Sequence, residues 1–417
     1  MPYPLQAGSG LLFLQQQVKN ITLMKDFMFY SPTEYVFGRG VEMKTGELAA
    51  RHSGSRALVV YGGGSAVRSG VLQRTCDSLK AAGLELDMLG GIHPNPMDDK
   101  VYEGIDRVRA FKADMIIGVG GGSVIDTAKA IAAGAVYDGD FWDFFSGKKI
   151  IEHALPVGVV LTIPAAGSEG SGNSVITKRD GLIKLSLRTP YALRPKFAMM
   201  NPELTFTLPA YQTAAGATDM MAHVMERYFN NTPATQLTDS VSEAVLRTIV
   251  EVTPRVLENP EDYEMRANLM WCGTLAHNGI CGTGVDEDWT SHFIEHEISA
   301  LYGVTHGAGL AVVFPAWQTF MTRHNLRKVA QMAHNVWRVT PTGNDLADAL
   351  EGIRLFKDFL HRIGMPVTFA ELGVPAPDID ALVENLHLHK GNPIGSYFPL
   401  TPADTKAIYT LALGDGE

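Results

Sequence analysis

Cysteine is scarce, long apolar runs are absent, and basic residues do not outnumber acidic ones. Each shortage excludes a class of protein. Cys76, Cys272 and Cys281 are the three cysteines in 417 residues. An odd, sparse set without a CxxC pair is no disulfide framework. It reads as the reduced thiols of a cytoplasmic protein. Nowhere do about eighteen apolar residues follow one another, so no membrane span is predicted. The formal charge of -10 argues against a nucleic-acid partner, which needs a basic face to meet phosphates. Near the N-terminus, Leu11-Leu12-Phe13-Leu14 lacks the basic start, the length and the cleavage site of a secretory signal. Residues 1–23 are expected to be a peripheral extension, with a more folded-looking stretch opening at Met24.

What remains is the composition of an ordinary globular protein, 46% hydrophobic and 19% charged. Its length exceeds one comfortable core, so two domains are expected. The first half alternates β-rich runs with helical stretches. Arg56–Tyr61 (RALVVY) and Asp114–Val119 (DMIIGV) are strand candidates, and each runs into glycines. Leu84–Leu89 and Val157–Ile163 are two more, with helical patterns between them. Strand, glycine turn and helix in repetition predict a doubly wound, Rossmann-like α/β domain over residues 24–209. Beyond Pro209 strand-like runs nearly vanish. Long helical patterns such as Ala210–Phe229 and Leu237–Val256 predict an all-helical domain over residues 210–417.

Two turns carry cofactor chemistry. Gly62-Gly63-Gly64-Ser65 and Gly120-Gly121-Gly122-Ser123 both lie between a strand and a helix. Backbone N–H groups there can approach a pyrophosphate, and the helix N-terminus adds a favourable dipole. Neither turn matches GxGxxG, so each alone is a weak signal and the pair a stronger one. The first turn holds no acidic residue to bond a ribose 2′-OH, whereas Ser65 and Arg68 suit a 2′-phosphate. This favours NADP(H), with NAD(H) the alternative.

A second constellation points to a metal. Asp219 and His223 are four apart on a helical stretch and share a face. His292 and His296 repeat that spacing, and His306 follows just before Gly307. One carboxylate with imidazoles suits Fe2+ or Zn2+. His292-Phe293-Ile294-Glu295-His296 also spells HxxEH, the inverted zinc-peptidase motif, in which His292 and His296 bind zinc and Glu295 activates water. That alternative leaves the glycine turns unexplained.

The chain resembles the iron-containing (group III) alcohol dehydrogenase family, in particular its butanol dehydrogenase and broad aldehyde reductase branch. The resemblance runs from about Phe27 to near the C-terminus. Its carriers are FMFYSPTEYVFGRG, YGGGS, HPNP, GVGGGSVIDTAKAIA, LTIPAAGSE, the Asp219/His223 pair and HFIEHEISALYGVTHGAGLAVVFP. It implies Asp219, His223, His292 and His306 as metal ligands. His296 falls on a histidine that is not usually a ligand and becomes the candidate proton relay. Gly63, Gly64 and Ser65 map near the adenosine ribose, and Asn95 near the adenine end. Gly121, Gly122 and Ser123 map to the pyrophosphate. Thr162 and Ser168 line the cofactor cleft, and Lys184 approximates a cofactor-facing lysine.

The implied reaction is hydride transfer between NAD(P)H and a short-chain aldehyde or primary alcohol, in a homodimer. A dehydroquinate synthase-like lyase on a similar scaffold is the alternative. Ala165-Ala166 and Asn201-Pro202 depart from the residues many relatives carry there, and neither touches an implied ligand.

Overall fold

The computed structural model describes residues 24–189 and 191–414; the expected extension over residues 1–23 lies outside them. The described residues form eight strands: β1 (Glu34–Phe37), β2 (Arg56–Tyr61), β3 (Glu85–Leu89), β4 (Met115–Gly120), β5 (Val157–Leu161), β6 (Asn173–Lys178), β7 (Ile183–Arg188) and β8 (Phe197–Met200). Six form one sheet in the order β1-β8-β5-β4-β2-β3, and every neighbouring pair is parallel. Parallel neighbours need crossover connections. Much of that crossing is made by α1 (Thr45–Arg51), α2 (Gly64–Arg68), α3 (Val71–Ala81), α4 (Asp98–Phe111), α5 (Gly122–Ala135) and α6 (Trp142–Phe145).

The sheet is covered on both faces, which explains why its strands read as continuous apolar runs. In β2, Leu58 and Val60 face a core shared with α4 and α5, while Ala57 and Val59 face one shared with α1 and α3. Strand β3 lies on one side of β2 and β4 on the other, so the winding reverses between β2 and β4. Open α/β sheets bind ligands outside the carboxyl ends of strands at such a reversal. The two glycine turns leave β2 and β4 at that place.

Periodicity does not reveal β1, β8 or the antiparallel hairpin β6–β7. The first two are four residues long, too short to show a pattern. The hairpin strands mix polar and apolar residues, and their partner decides their state.

After Met200 the described residues hold no further strand, only the isolated bridge between Ile394 and Leu400. The helices are α7 (Ala210–Tyr228), α8 (Gln236–Glu258), α9 (Tyr263–His277), α10 (Thr290–Tyr302), α11 (His306–Met321), α12 (Leu326–Asn335), α13 (Asp345–Arg362), α14 (Ile379–Lys390) and α15 (Pro402–Leu411). Every residue of α7 from Thr213 to Tyr228 is buried. A helix buried on all sides is a central helix. Any polar side chain on it must find a partner or pay a desolvation penalty. Asp219, His223 and Glu226 are such side chains.

Candidate metal and cofactor centre

A single cleft of about 720 Å³ runs from the carboxyl ends of β2, β4 and β5 to α7, α10 and the start of α11. At its helical end Asp219, His292 and His306 converge. The Asp219 Oδ1 atom lies 3.9 Å from His292 Nε2 and 3.8 Å from His306 Nε2. Two atoms each about 2.1 Å from a shared ion stand roughly 3.4 Å apart in a tetrahedron, so a small contraction would close the set on a cation. Asp219 Oδ1 and His292 Nε2 are buried and have no hydrogen-bond partner among the described residues. A native fold rarely leaves two such atoms facing each other without a third party. The donor set fits a divalent metal.

The rings are aimed from behind. His292 Nδ1 lies 2.6 Å from Glu226 Oε1, and His306 Nδ1 makes a short contact with Glu295 Oε2. A carboxylate on Nδ1 fixes the tautomer and turns Nε2 toward the ion. His223 stands beside this group, its ring 4.7 Å from that of His292, with Nδ1 2.8 Å from the Asp219 carbonyl oxygen. His223 Nδ1 also lies 3.1 Å from Asp219 Oδ1, so the ring meets the carboxylate through Nδ1, while the group of mutually close donors is Asp219, His292 and His306. Burial holds His292 well below the usual imidazole range, so it is neutral and able to coordinate. Asp219 is also buried, yet His223, His306 and Lys184 more than offset burial and keep its carboxyl below the ordinary value.

His306 is the first residue of α11. It reaches the centre because the next residue is glycine: a Cβ on Gly307 would overlap the carbonyl oxygen of Ala215 in α7. A Cβ on Gly309 would press on Glu295 Oε1 at 2.5 Å. Close helix–helix approach, and not the ligands alone, therefore assembles the site.

At the other end of the cleft the wall is backbone. Helices α2 and α5 start after Gly63 and Gly121, and neither has a side-chain cap. No side chain therefore competes for the first N–H groups, although that of Val124 in α5 reaches the Gly121 carbonyl. A Cβ on Gly121 would stand 3.0 Å from Ile163 Cβ, and one on Gly122 3.2 Å from Ala166 Cβ. Gly63, Ser65, Asn95, Gly121, Gly122, Ser123, Thr162, Ser168 and Lys184 all line the cleft. Gly64 does not; Gly62 takes its place, and the Arg68 guanidinium folds back over Gly64. Lys184 Nζ donates to Asn95 Oδ1 (3.1 Å) and Ser299 Oγ (2.9 Å), linking the hairpin to α10. Burial lowers its pKa, with Glu295 and Asp219 nearby opposing that shift.

The family model for iron-containing alcohol dehydrogenase matches residues 32–202, and the C-terminal model of the Fe-containing alcohol dehydrogenase family matches 213–413. The chain belongs to the iron-containing alcohol dehydrogenase family. Within this alcohol dehydrogenase family it is 36% identical to NADH-dependent butanol dehydrogenase A of Clostridium acetobutylicum, over 93% of this chain and 99% of that one. It is 35% identical to the NADPH-dependent aldehyde reductase YqhD of Escherichia coli, over 93% and 100%. The crystal structure of NADH-dependent butanol dehydrogenase A from Thermotoga maritima superposes with a TM-score of 0.90 at 41% identity, over 94% and 99%. The chain is thus an oxidoreductase of the butanol dehydrogenase and aldehyde reductase branch, using a nicotinamide cofactor and a metal.

Membership removes the lyase and peptidase alternatives. The geometry agrees on the second: Glu295 is engaged by His306, and the ring centroids of His292 and His296 are 6.3 Å apart. His296 is buried beside His306, its Nδ1 without a partner among the described residues. Glu226 is the alcohol dehydrogenase residue that sequence reasoning missed. Its signal was available, because Glu226 extends the Asp219/His223 stripe to the i, i+4, i+7 positions of one helix face. Asn173, His277 and Trp289 also line the cleft. No spacing marks Asn173 or His277.

Proposed function

We propose that this enzyme interconverts short-chain aldehydes and primary alcohols. NADP(H) is preferred over NAD(H), and Asp219, His223, His292 and His306 hold an Fe2+ or Zn2+ ion. The observation that carries the reading is the convergence of Asp219, His292 and His306, with unpartnered buried atoms, in the same cleft as two uncapped, glycine-lined helix starts. Bound there, the ion supplies Lewis-acid polarisation of a carbonyl oxygen. Glu226 and Glu295 hold His292 and His306 in register. Gly121, Gly122 and Ser123 receive the pyrophosphate, and Gly62, Gly63 and Ser65, without the expected Gly64, the adenosine ribose, with Asn95, Thr162, Ser168 and Lys184 along the dinucleotide. A dinucleotide held by these residues would lie along the cleft that ends at the metal side chains, and would supply the hydride there. His296 relays a proton toward the product oxygen. On this reading the chain divides at residue 209 into a dinucleotide domain and a metal domain.

The preference for NADP(H) is supported by the acids near β2 and β3 being engaged elsewhere. Asp87 pairs with Arg107, and Glu85 with Arg56. The acids lining the cleft are Asp126 and Asp219, and Asp126 accepts from Ser168 Oγ and the Val175 N–H. Among the described residues no free carboxylate lines the cleft to read a 2′-OH or repel a 2′-phosphate. A homodimer is supported by the run Phe27, Met28, Phe29 and Tyr30, each at least 43% exposed. None of the described helices is long and apolar enough to cross a membrane, and a cytoplasmic setting suits the three buried free thiols.

The test is kcat/KM for butanal with NADPH and with NADH, on protein of measured metal content. Steady loss of nicotinamide absorbance, faster with NADPH, is expected. Metal-replete protein that oxidises neither cofactor with any short aldehyde overturns the activity. A ratio favouring NADH overturns the cofactor preference alone.

A further inference from the structure

A second cavity lies in the helical half of the chain and shares no residue with the catalytic cleft. Its volume is about 450 Å³. Three segments wall it: one face of α8, the turn that follows α12, and the end of α13. Four of its side chains are arginines, Arg247, Arg255, Arg338 and Arg362, and its one acid is Glu251. In a chain of formal charge -10 such a cluster runs against the overall balance. Like charges gathered without counter-charges repel one another, and an anion among them relieves the repulsion.

Of the four, only Arg255 has a carboxylate partner among the described residues, Glu251 at 3.2 Å. Arg247 donates from Nη1 to the carbonyl oxygen of Asn335 (2.8 Å), the last residue of α12. Arg362 is the last residue of α13. Arginine at a helix C-terminus offsets the negative end of the dipole, which explains part of the cluster. It does not explain all of it, because each helix end is worth only about half a negative charge. Four guanidiniums against one carboxylate and two such ends leave a surplus of about two positive charges.

The wall is prebuilt. Trp337 packs its ring on Phe356 and Phe359 of α13, with centroids 5.4 and 5.9 Å away. The backbone on either side of Arg338 is pinned: the Trp337 N–H donates to the Met332 carbonyl (3.3 Å) and the Val339 N–H to that of Ala333 (3.0 Å). Arg338 itself takes φ 59°, a left-handed conformation that is strained for a residue with a Cβ. Strained backbone of this kind collects at ligand sites. Glycine would make this turn without strain, yet an arginine stands there and lines the cavity.

We propose that this cavity binds a diphosphate group, with Arg247, Arg338 and Arg362 as its principal donors. The planar guanidinium fork meets phosphate oxygens two at a time, and two joined phosphates carry enough charge to answer the surplus. No bond is made or broken there.

Equilibrium dialysis of labelled inorganic pyrophosphate against the metal-loaded enzyme tests the site, with wild type, Arg338→Gly and Arg362→Ser compared. Wild type should bind at least one equivalent, and each variant should weaken that equivalent by about tenfold, the scale of one charge-assisted hydrogen bond. Glycine accepts the left-handed turn, so Arg338→Gly should lose affinity with no fall in Tm. If its Tm does fall, Arg362→Ser, at an exposed side chain, decides alone. Pyrophosphate held at the metal or in the cofactor cleft would persist in both variants, so an isotherm that neither substitution changes overturns the site. Absence of binding to wild type overturns it as well. Inorganic phosphate that binds as tightly as pyrophosphate overturns the diphosphate class.

Discussion

The two walls of the cleft are built from different materials. On the sheet side, glycines hold side chains away so that main-chain N–H groups can face an anion. On the helical side, charged and imidazole groups are buried in a central helix and its neighbours, where each needs a partner. The first wall is made by what is missing at a few consecutive positions. The second is made by residues 219 to 306 meeting across three helices. A backbone site should therefore be tolerant of changes at a distance, whereas a side-chain site should depend on everything that aims it.

The largest effect should come from removing a ligand. His292→Ala is expected to strip the metal and lower kcat/KM by about a thousandfold or more, the scale of losing Lewis-acid catalysis. Metal analysis beside butanal kinetics checks this, and a variant that keeps both would remove His292 from the ligand set. Nearly as large should be Gly307→Ala, which alters no ligand. Its methyl would force α11 away from the Ala215 carbonyl and carry His306 with it. Metal loss with the helical far-UV signal retained is expected. Full metal retention would mean that the two helices can part without disturbing the centre.

Weaker again should be Glu226→Gln and Glu295→Gln. An orienting carboxylate is worth about 10- to 100-fold in metal affinity, measurable by chelator competition. If either substitution leaves affinity unchanged, the helical wall is less dependent on its supports than the comparison holds.

The smallest effect concerns stability. Glu287 is partly buried, yet Arg227 and Arg188 lower its pKa from 4.5 to about 2. A depressed carboxylate adds stability that is complete above its unfolded value and lost as pH falls through the folded one. The contribution is thus present above about pH 4.5 and disappears toward pH 2. Its size is at most on the order of 3 kcal/mol. Urea unfolding at several pH values should show a shallower acid dependence in Glu287→Gln than in wild type. Equal slopes would detach Glu287 from the acid limb.

Much of the site could be read in the sequence. Gly120-Gly121-Gly122-Ser123 after DMIIGV announces its own geometry, since strand, turn and helix start are contiguous. The Asp219/His223 spacing likewise needs only one helix. The choice among His292, His296 and His306 needed more. On spacing, His292 and His296 make the natural pair; the family resemblance favours His306 over His296. The structure brings His292 and His306 to Asp219, with Glu295 backing His306. Asn173 and His277, 104 residues apart, had no local pattern to announce them.

What the sequence determined by itself is therefore what short range decides. Apolar runs ending in glycine dictate strand, turn and helix, and a four-residue spacing dictates a shared helix face, because φ/ψ preference and helical period act over a few residues. The tertiary structure alone decided which atoms meet. That Gly307 lets α11 touch α7 and that Glu226 and Glu295 turn two rings are outcomes of packing. They depend on ångström distances between segments far apart in the chain, which no local preference encodes.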